Sequence, residues 1–511
     1  MKNSKIILVI NKLEREKRSM EMIKNKLIYL NNNVEVKIIH SLDKQFFPTL
    51  ITFKPDIVVT FPFTAVMTST RYYILKYLLN FHLVVLRTEG LILICDEFHL
   101  NLMTGKEQYG NNIVDYEIFW GAESAKIIGN ILLQQNKLSH KNRIKYFGAP
   151  SFENFNVPDT LPDDIQSKLR LFEKEKTLLI ATGFHYAEYS EADIINAGDL
   201  VEKNSQNFIN EYVNWLSFLD KCKLFRYMWI NIIDLCAKQN PDMAFVIKNH
   251  PLEINVIKVK NRPDPYACLK KHNNVILINR PLPVKDIIQK CGVLFHYGST
   301  TMLEAYLNGV PSVYVESKDI RKVDGSINPF GVMDIPSTIS IDILQLPDFI
   351  NSLMNRPVHF EESEKIDTFL ERQVCFSKNV PYRPTESIAT FLLSINQQPQ
   401  KILHTDQYLL HALEMFGYDS LIQYLLKMSY ACILSSEYNK ALYEFLYYLE
   451  MILLIKQKIV QNYYYYVSIC FFYSNKLDKS LEAIKLELQY FPYNDEAKQY
   501  YSILQNNIEP T

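Results

Sequence analysis

The run His296-Tyr297-Gly298-Ser299-Thr300-Thr301-Met302-Leu303-Glu304-Ala305, closed by Gly309-Val310-Pro311, holds residues that could do chemistry at close spacing. It follows an apolar stretch, Gly292-Val293-Leu294-Phe295, that reads as a buried strand, and it leads into Met302 to Leu307, which reads as a helix. A strand, a small polar turn and a helix N-terminus together make an anion site, because backbone N–H groups point outward and the helix dipole favours negative charge. Ser299, Thr300 and Thr301 add hydroxyl donors without bulk, and Gly298 lets the backbone approach a ligand closely. The expectation is a pocket for the phosphate of a nucleotide-linked substrate. The plainer alternative is a helix cap, since Thr301-x-x-Glu304 is formally a capping box.

Lys248-Asn249-His250-Pro251 is the second group. It closes the apolar run Ala244 to Lys248, so His250 stands where it can donate to a phosphate oxygen, and Pro251 forces a tight turn. It lies 49 residues before Ser299 with one strand between, so the two could sit at neighbouring strand ends and grip one phosphate or diphosphate. Lys248 adds positive charge. The third group is Arg87-Thr88-Glu89-Gly90, after Leu83 to Leu86, where Glu89 is a candidate general base. Gly183 and His185, in the loop after Thr177 to Ala181, are further candidates for the phosphate, and Asn279-Arg280-Pro281-Leu282 could present backbone groups to a base. His296 reads as a residue hydrogen-bonded within its strand end, Glu188 and Glu191 as solvated, and Arg262 to Tyr266 as a loop. Asp96, Glu97 and His99 fit no metal site, and no Asp-x-Asp stands at a convincing strand end.

These groups need a frame to position them. The chain has 511 residues, enough for two or three domains, and 48% apolar content to fill their cores. The formal net charge of −1, without long basic or acidic runs, excludes a primarily electrostatic nucleic-acid binder. Eight cysteines are scattered without Cys-x-x-Cys or metal-ligand spacing, as expected of reduced thiols in a cytosolic protein. The apolar run Ile6 to Ile10 is too short for a signal-peptide core, and no run approaches the roughly 18 apolar residues of a membrane span. The expectation is a cytoplasmic protein, at most peripheral on the inner membrane.

Residues 1–170 alternate strand and helix signals: Ile6 to Ile10, a charged amphipathic segment from Leu13 to Leu30, Val34 to Ile39, Asp56 to Thr60, Leu83 to Leu86 and Ile144 to Phe147. Continuous apolar strands between helices indicate a parallel, doubly wound sheet. After a linker, Asn156 to Lys176, the pattern restarts over 171–398, with strands at Thr177 to Ala181, Ala244 to Lys248, Val275 to Ile278, Val293 to His296 and Ser312 to Val315, and a long helix over 206–238. The segment near 380–395 could pack back on the first domain. In such sheets ligands bind at the carboxyl ends of the strands. From 399 to 511 the chain is Tyr- and Leu-rich and helical in period, and Ser436-Glu437-Tyr438-Asn439-Lys440-Ala441 recurs as Asn475-Lys476-Leu477-Asp478-Lys479-Ser480. That suggests tetratricopeptide-like helix pairs with Ala441 and Ser480 at the crossings, or a plain α-hairpin bundle. The tyrosines 463–466 read as packing on two helix faces.

Two doubly wound sheets, each with a ligand edge, suggest two facing Rossmann-like domains of glycosyltransferase B type followed by an α-helical repeat tail. The His-Pro and Ser groups resemble the motifs with which bacterial sialyl- and Kdo-type transferases hold the phosphate of CMP-activated sugars. Glu89-Gly90 resembles their acid motif, with Thr88 in place of its first acid. The ordered set Glu89-Gly90, Trp120-Gly121, Gly148-Ala149-Pro150, Gly183-Phe184, His250-Pro251 and Thr300-Thr301-Met302-Leu303-Glu304-Ala305 resembles the bacterial surface carbohydrate biosynthesis protein family over roughly residues 80–320. Ser151-Phe152-Glu153 and Gly183 depart from that family's Arg, Asp and Asn.

The resemblance implies an inverting, metal-independent glycosyltransferase of surface polysaccharide synthesis, with Glu89 as base. His250, Ser299, Thr300 and Lys248 would hold the donor phosphate, with Gly298 and Thr301 beside them. Glu304 would take the ribose, and Arg280, Pro281 and Leu282 the base. The expected partners are a nucleotide-sugar donor, with a CMP-linked nonulosonate favoured, and a glycan or lipid-linked glycan acceptor, with no cofactor, no metal and no nucleic acid. The tail would dock a protein partner or the acceptor assembly. A CDP-polyol phosphotransferase, a sugar-nucleotide epimerase of the same fold and a non-catalytic helical scaffold are the alternatives.

Overall fold

The computed structural model describes residues 4–11, 13–41, 43, 46–62, 72, 75–76, 79–87, 104, 113–135, 138, 140–153, 161–189, 206–259, 261–280, 282, 284–297, 299–316, 339–353, 356, 358–360, 364–395, 418–436, 438–446, 449–450, 453 and 459–506.

The first sheet contains β1 (Lys5–Ile10), β2 (Glu35–His40), β3 (Ile57–Thr60), β4 (His82–Leu86), β5 (Tyr116–Phe119) and β6 (Ile144–Tyr146), in the order β2-β1-β3-β4-β5-β6 with every pairing parallel. β3 and β4 are buried along their whole length, which explains their unbroken apolar sequence. Helices α1 (Leu13–Leu30), α2 (Phe46–Phe53) and α3 (Ala122–Gln134) accompany this sheet.

Sequence periodicity misses β5, because Glu117 interrupts its apolar residues. Glu117 is nevertheless buried, and the Arg87 guanidinium reaches its Oε1 at 2.5 Å through both Nε and Nη2 while lying over the Phe119 ring. A buried carboxylate persists when paired and hydrogen-bonded in this way.

The second sheet contains β7 (Thr177–Ala181), β8 (Ala244–Lys248), β9 (Val275–Ile278), β10 (Val293–His296), β11 (Ser312–Glu316) and β12 (Ile339–Asp342). Its order is β12-β11-β10-β7-β8-β9, again parallel throughout. Counted from β7 this is 3-2-1-4-5-6 read from the other edge, the Rossmann order, and the strand sequence reverses direction between β7 and β10. Helices α4 (Asp163–Leu169), α5 (Gln206–Gln239), α6 (Pro251–Val259), α7 (Val284–Ile288) and α8 (Thr301–Leu307) belong to this half. The expected pair of Rossmann-like, doubly wound sheets followed by a helical region is present.

Two further helices, α9 (Glu364–Val374) and α10 (Pro384–Ile395), return the chain to the first sheet. Ile388, Ala389, Leu392 and Ile395 of α10 share a core with Ile6, Leu8, Val59 and Val84. α9 crosses at Gly121, where an added Cβ would lie 2.2 Å from the Arg372 carbonyl oxygen, so only glycine allows this approach. Gly148 has φ +92°, and the next residue, Ala149, donates its N–H to Tyr382 Oη at 2.7 Å. Trp120 packs on Phe152 and joins a core with Ile366, Leu370 and Val374. Trp120-Gly121 and Gly148-Ala149-Pro150 therefore hold this returning segment.

The C-terminal helices α11 (Tyr418–Leu434), α12 (Tyr463–Tyr473), α13 (Leu477–Tyr490) and α14 (Asp495–Asn506) are continuous with the first half of the molecule. Leu425, Met428, Phe445 and Cys470 lie in one core with Phe46, Leu50, Tyr72 and Leu83. Ser480 meets Ser468 where α13 crosses α12, each hydroxyl donating to the other's carbonyl, at 2.7 and 2.8 Å. Tyr464 and Tyr466 pack against the shared core and Tyr465 against a separate small cluster around Ile484 and Ala497, so the tyrosine run does serve two faces. No helix among the described residues is long and apolar enough to cross a membrane.

Candidate functional site

The phosphate candidates collect at the carboxyl edge of the second sheet, around the reversal between β7 and β10. The expected neighbouring strand ends are not neighbours: β8 and β10 both flank β7, and the register aligns Lys248, Ala181 and His296 across the three strands. Side chains aligned in register share a face, so Lys248 and His296 stand on one side of the sheet with the small Ala181 between them. The loops that follow carry Thr182-Gly183, Asn249-His250 and Tyr297 to Thr300.

Lys248 is buried and its ammonium donates to the Asn249 carbonyl at 2.9 Å. His250 is half-buried, and its backbone N–H donates to Thr182 Oγ1 at 3.0 Å, which ties the β8 loop to the end of β7. The Ser299 N–H donates to His296 Nδ1 at 3.3 Å. With Nδ1 accepting, the ring proton sits on Nε2, an atom with no hydrogen-bond partner among the described residues. Burial lowers the His296 pKa to about 3, so the ring is neutral at any ordinary pH. His296 thus shapes the turn from within the strand end, as expected.

The turn itself corrects the sequence reading. The capping box Thr301-x-x-Glu304 does not form, because the helix starts at Thr301 and its N-cap is Thr300, leaving the proposed pair one position out of register. Ser299 does the local work instead: its Oγ accepts the Thr301 N–H at 3.2 Å and lies 2.8 Å from Thr301 Oγ1. Thr301 is buried, Ser299 half-buried and Thr300 exposed.

Glu304, one turn into α8, keeps only partial exposure. Burial pushes its carboxyl up to about 7; Lys248 pulls it down, Asp286 raises it and Lys285 lowers it. Lys285 and Asp286, both buried in α7, were not singled out by sequence, because nothing in their spacing separates them from a solvated helix turn. Gly183 is half-buried, and a Cβ there would meet only the Tyr297 carbonyl oxygen at 3.7 Å, so the position has room for a side chain. His185 opens the short turn His185–Glu188 on the same loop.

Arg280 is exposed and its Nη2 reaches Asp164 Oδ1 of α4 at 2.5 Å, while the half-buried Leu282 packs on the core around Leu294 and Met302. Glu89, Gly298 and Pro281 lie outside the described residues, as do Glu191 and the group Asp96, Glu97 and His99. No group of three His, Cys, Asp or Glu among the described residues could hold a metal ion.

Glu188 is a second correction. It is buried, not solvated, and its carboxylate pairs with Arg226 and, at 3.1 Å, with Arg262. Two charged partners make that burial tolerable. The segment Arg262 to Tyr266, read as a plain loop, delivers the fully buried Tyr266, whose hydroxyl donates to Glu253 Oε1 at 2.8 Å. The sequence signal for Glu253 was its place three residues after His250 at a helix start.

No protein-family model matches this chain, and no curated protein matches it. Solved structures similar in chain course include UDP-GlcNAc 2-epimerase of Methanocaldococcus jannaschii in complex with UDP-GlcNAc and UDP, at 13% identity over 76% of this chain and 99% of that one, with a TM-score of 0.42. A putative UDP-N-acetylglucosamine 2-epimerase from Listeria monocytogenes is 12% identical over 78% of this chain and 99% of that one, with a TM-score of 0.45. The wall teichoic acid polymerase TagF is 13% identical over 78% of this chain and 90% of that one, also with a TM-score of 0.45. Likeness at this level says nothing of substrate or reaction.

Proposed function

We propose that this chain is an inverting, metal-independent glycosyltransferase of bacterial surface polysaccharide synthesis that takes its sugar from a nucleotide donor. The observation that carries the reading is the placement of Lys248, His250, Ser299 and Thr300 at the strand ends around the β7/β10 reversal of the second sheet, with Glu304 one turn into the helix that follows. In an open α/β sheet that reversal is where a nucleotide binds.

In this reading the donor phosphate lies against the His250 imidazole and the Ser299 and Thr300 hydroxyls, because the Ser299 and Thr301 N–H groups are already engaged within the turn. These donors stabilise the charge that grows on the leaving phosphate. Lys248, whose ammonium is engaged with the Asn249 carbonyl, contributes field rather than contact. Glu304 accepts the ribose hydroxyls. Glu89 takes the proton of the acceptor hydroxyl as its oxygen bonds to the anomeric carbon, and the electron pair of the broken C–O bond leaves with the nucleotide. A CMP-linked nonulosonate is the favoured donor on the residue resemblances above, and a glycan or lipid-linked glycan the acceptor.

A thermal-shift panel with CMP, CDP, UMP, UDP and GDP, repeated on His250→Ala, tests this. A ligand that binds only the folded state raises its melting temperature. One nucleotide should stabilise the protein, and the shift should vanish in the variant. Absence of a shift with every nucleotide sinks the transferase reading and favours a helical scaffold.

A further inference from the structure

Glu253 is fully buried in the first turn of α6, three residues after His250. Its environment raises its pKa, chiefly through burial, against the hydrogen bonds from Thr182 and Tyr266 and the charge of Arg226, with Glu188 adding to the rise. A carboxyl in such a place needs a reason. His250 is the N-cap of α6: its carbonyl accepts the Ile254 N–H at 3.1 Å, and Pro251 fills the first helical position, where a missing N–H costs nothing. Glu253 is then the third helical residue, the one whose side chain in a capping box reaches back to the N-cap N–H. Here the connection has one extra link. The His250 N–H donates to Thr182 Oγ1 at 3.0 Å, and the Thr182 hydroxyl donates to Glu253 Oε2 at 2.6 Å. The other oxygen, Oε1, accepts from Tyr266.

We infer that Thr182, Glu253 and Tyr266 are positioning residues for His250: they form a relayed helix cap, borrowed from the end of the neighbouring strand, that fixes the His250 backbone and so the direction of its imidazole toward the phosphate. The inference rests on the reading of His250 as a phosphate donor. Thr182 belongs to β7's end, so the relay also sets the distance between the two loops at the reversal of the sheet. Glu253 serves better than an apolar residue because its two oxygens accept two hydroxyls approaching from separate elements.

The test is calorimetric titration of the full chain with CMP, CDP, UMP, UDP and GDP, on wild type, His250→Ala, Thr182→Val, the Thr182→Val/His250→Ala double variant, Glu253→Gln and Glu253→Leu. Melting curves confirm that each variant is folded at the assay temperature, and amide exchange follows the His250 N–H. Thr182→Val keeps shape but removes the relay, and should weaken the bound nucleotide about 10–100-fold and speed His250 exchange. The double variant should be no weaker than His250→Ala, because coupled residues are not additive. Glu253→Gln, which still accepts from Tyr266 and can donate to Thr182, should keep more affinity than Glu253→Leu. Wild-type affinity in Thr182→Val, with binding lost in His250→Ala, overturns the relay and leaves the transferase reading standing. Multiplying losses in the double variant overturn it too, since they mark a role independent of His250. Unchanged binding in His250→Ala, or no binding by wild type, fells the underlying reading and the inference with it.

Discussion

Glu304 joins a proposed ligand role to a cost to the fold. Its carboxyl is raised from 4.5 to about 7, mainly by burial. The folded protein therefore holds this proton over a pH range where the unfolded chain has released it. Stability from this group is fully present below about pH 4.5, falls as pH climbs toward 7, and is absent above that. Glu304→Gln should raise the melting temperature at pH 8 and leave it unchanged at pH 4, by a free energy on the order of 2 kcal/mol once partial exposure is allowed for. In the proposed role the ionised form accepts ribose hydroxyls, so nucleotide affinity of the wild type should strengthen from pH 6 to pH 8, and the substitution should abolish that trend. Melting and titration at two pH values check both. An acid that opposes stability and, in the proposed role, helps binding fits the common conflict between the two. At this scale the sequence showed where a residue would stand relative to its strand, with His250 and Ser299 just after strand ends and Glu304 one turn into the helix that follows. It was silent where the partner is distant: Glu188 gave no hint of Arg226, and Glu253 none of Thr182, because those pairs close only when three elements meet.

Elements read well when they are buried on both faces or regularly amphipathic. β3, β4, β7, β8 and α1 fall where unbroken apolar runs and helical period put them. β5 did not, since a charge stands in its middle, and β12, an edge strand at Ile339–Asp342, was also missed because it is short and alternates burial. The motif resemblance had a similar gap. Trp120-Gly121 and Gly148-Ala149-Pro150 stood in it as members of an ordered set, yet in the fold they receive α9 and the segment that leads into α10. Gly121→Ala puts a Cβ 2.2 Å from the Arg372 carbonyl and 2.3 Å from that of Gln373, both backbone atoms that cannot swing away. The expected loss is at the upper end of the about 1–3 kcal/mol typical of overpacking, with α9 displaced. Gly309→Ala is the control: nothing lies within 4 Å of its Cβ, and only the φ of +62° opposes it, for about 1 kcal/mol. Denaturant melts of both variants check the order, and a Gly309 variant less stable than the Gly121 variant would contradict the close crossing.

The whole molecule differs from a row of three separate units. Sequence composition divides it cleanly near residue 399, but composition reports how a segment is built, not what its apolar face covers. The helices after Tyr418 place Ile422, Met428 and Phe445 in one core with Phe46, Tyr72 and Val58 of the first half. Buried apolar area is the main source of stability, so a shared core couples the two regions in unfolding. Phe445 is fully buried, and its truncation to alanine should cost about 3–5 kcal/mol. The informative readout is where that loss appears. Hydrogen exchange followed along the Phe445→Ala chain should show lost protection in β3 and β4 together with α11 and α12, in one cooperative unit. If the strands keep full protection while the helices open alone, the tail is an autonomous arm, and a role in docking partners would no longer constrain the first sheet. If they open together, any partner that grips the tail also stabilises the sheet beside the proposed acceptor site, and binding at one end becomes a means of setting order at the other.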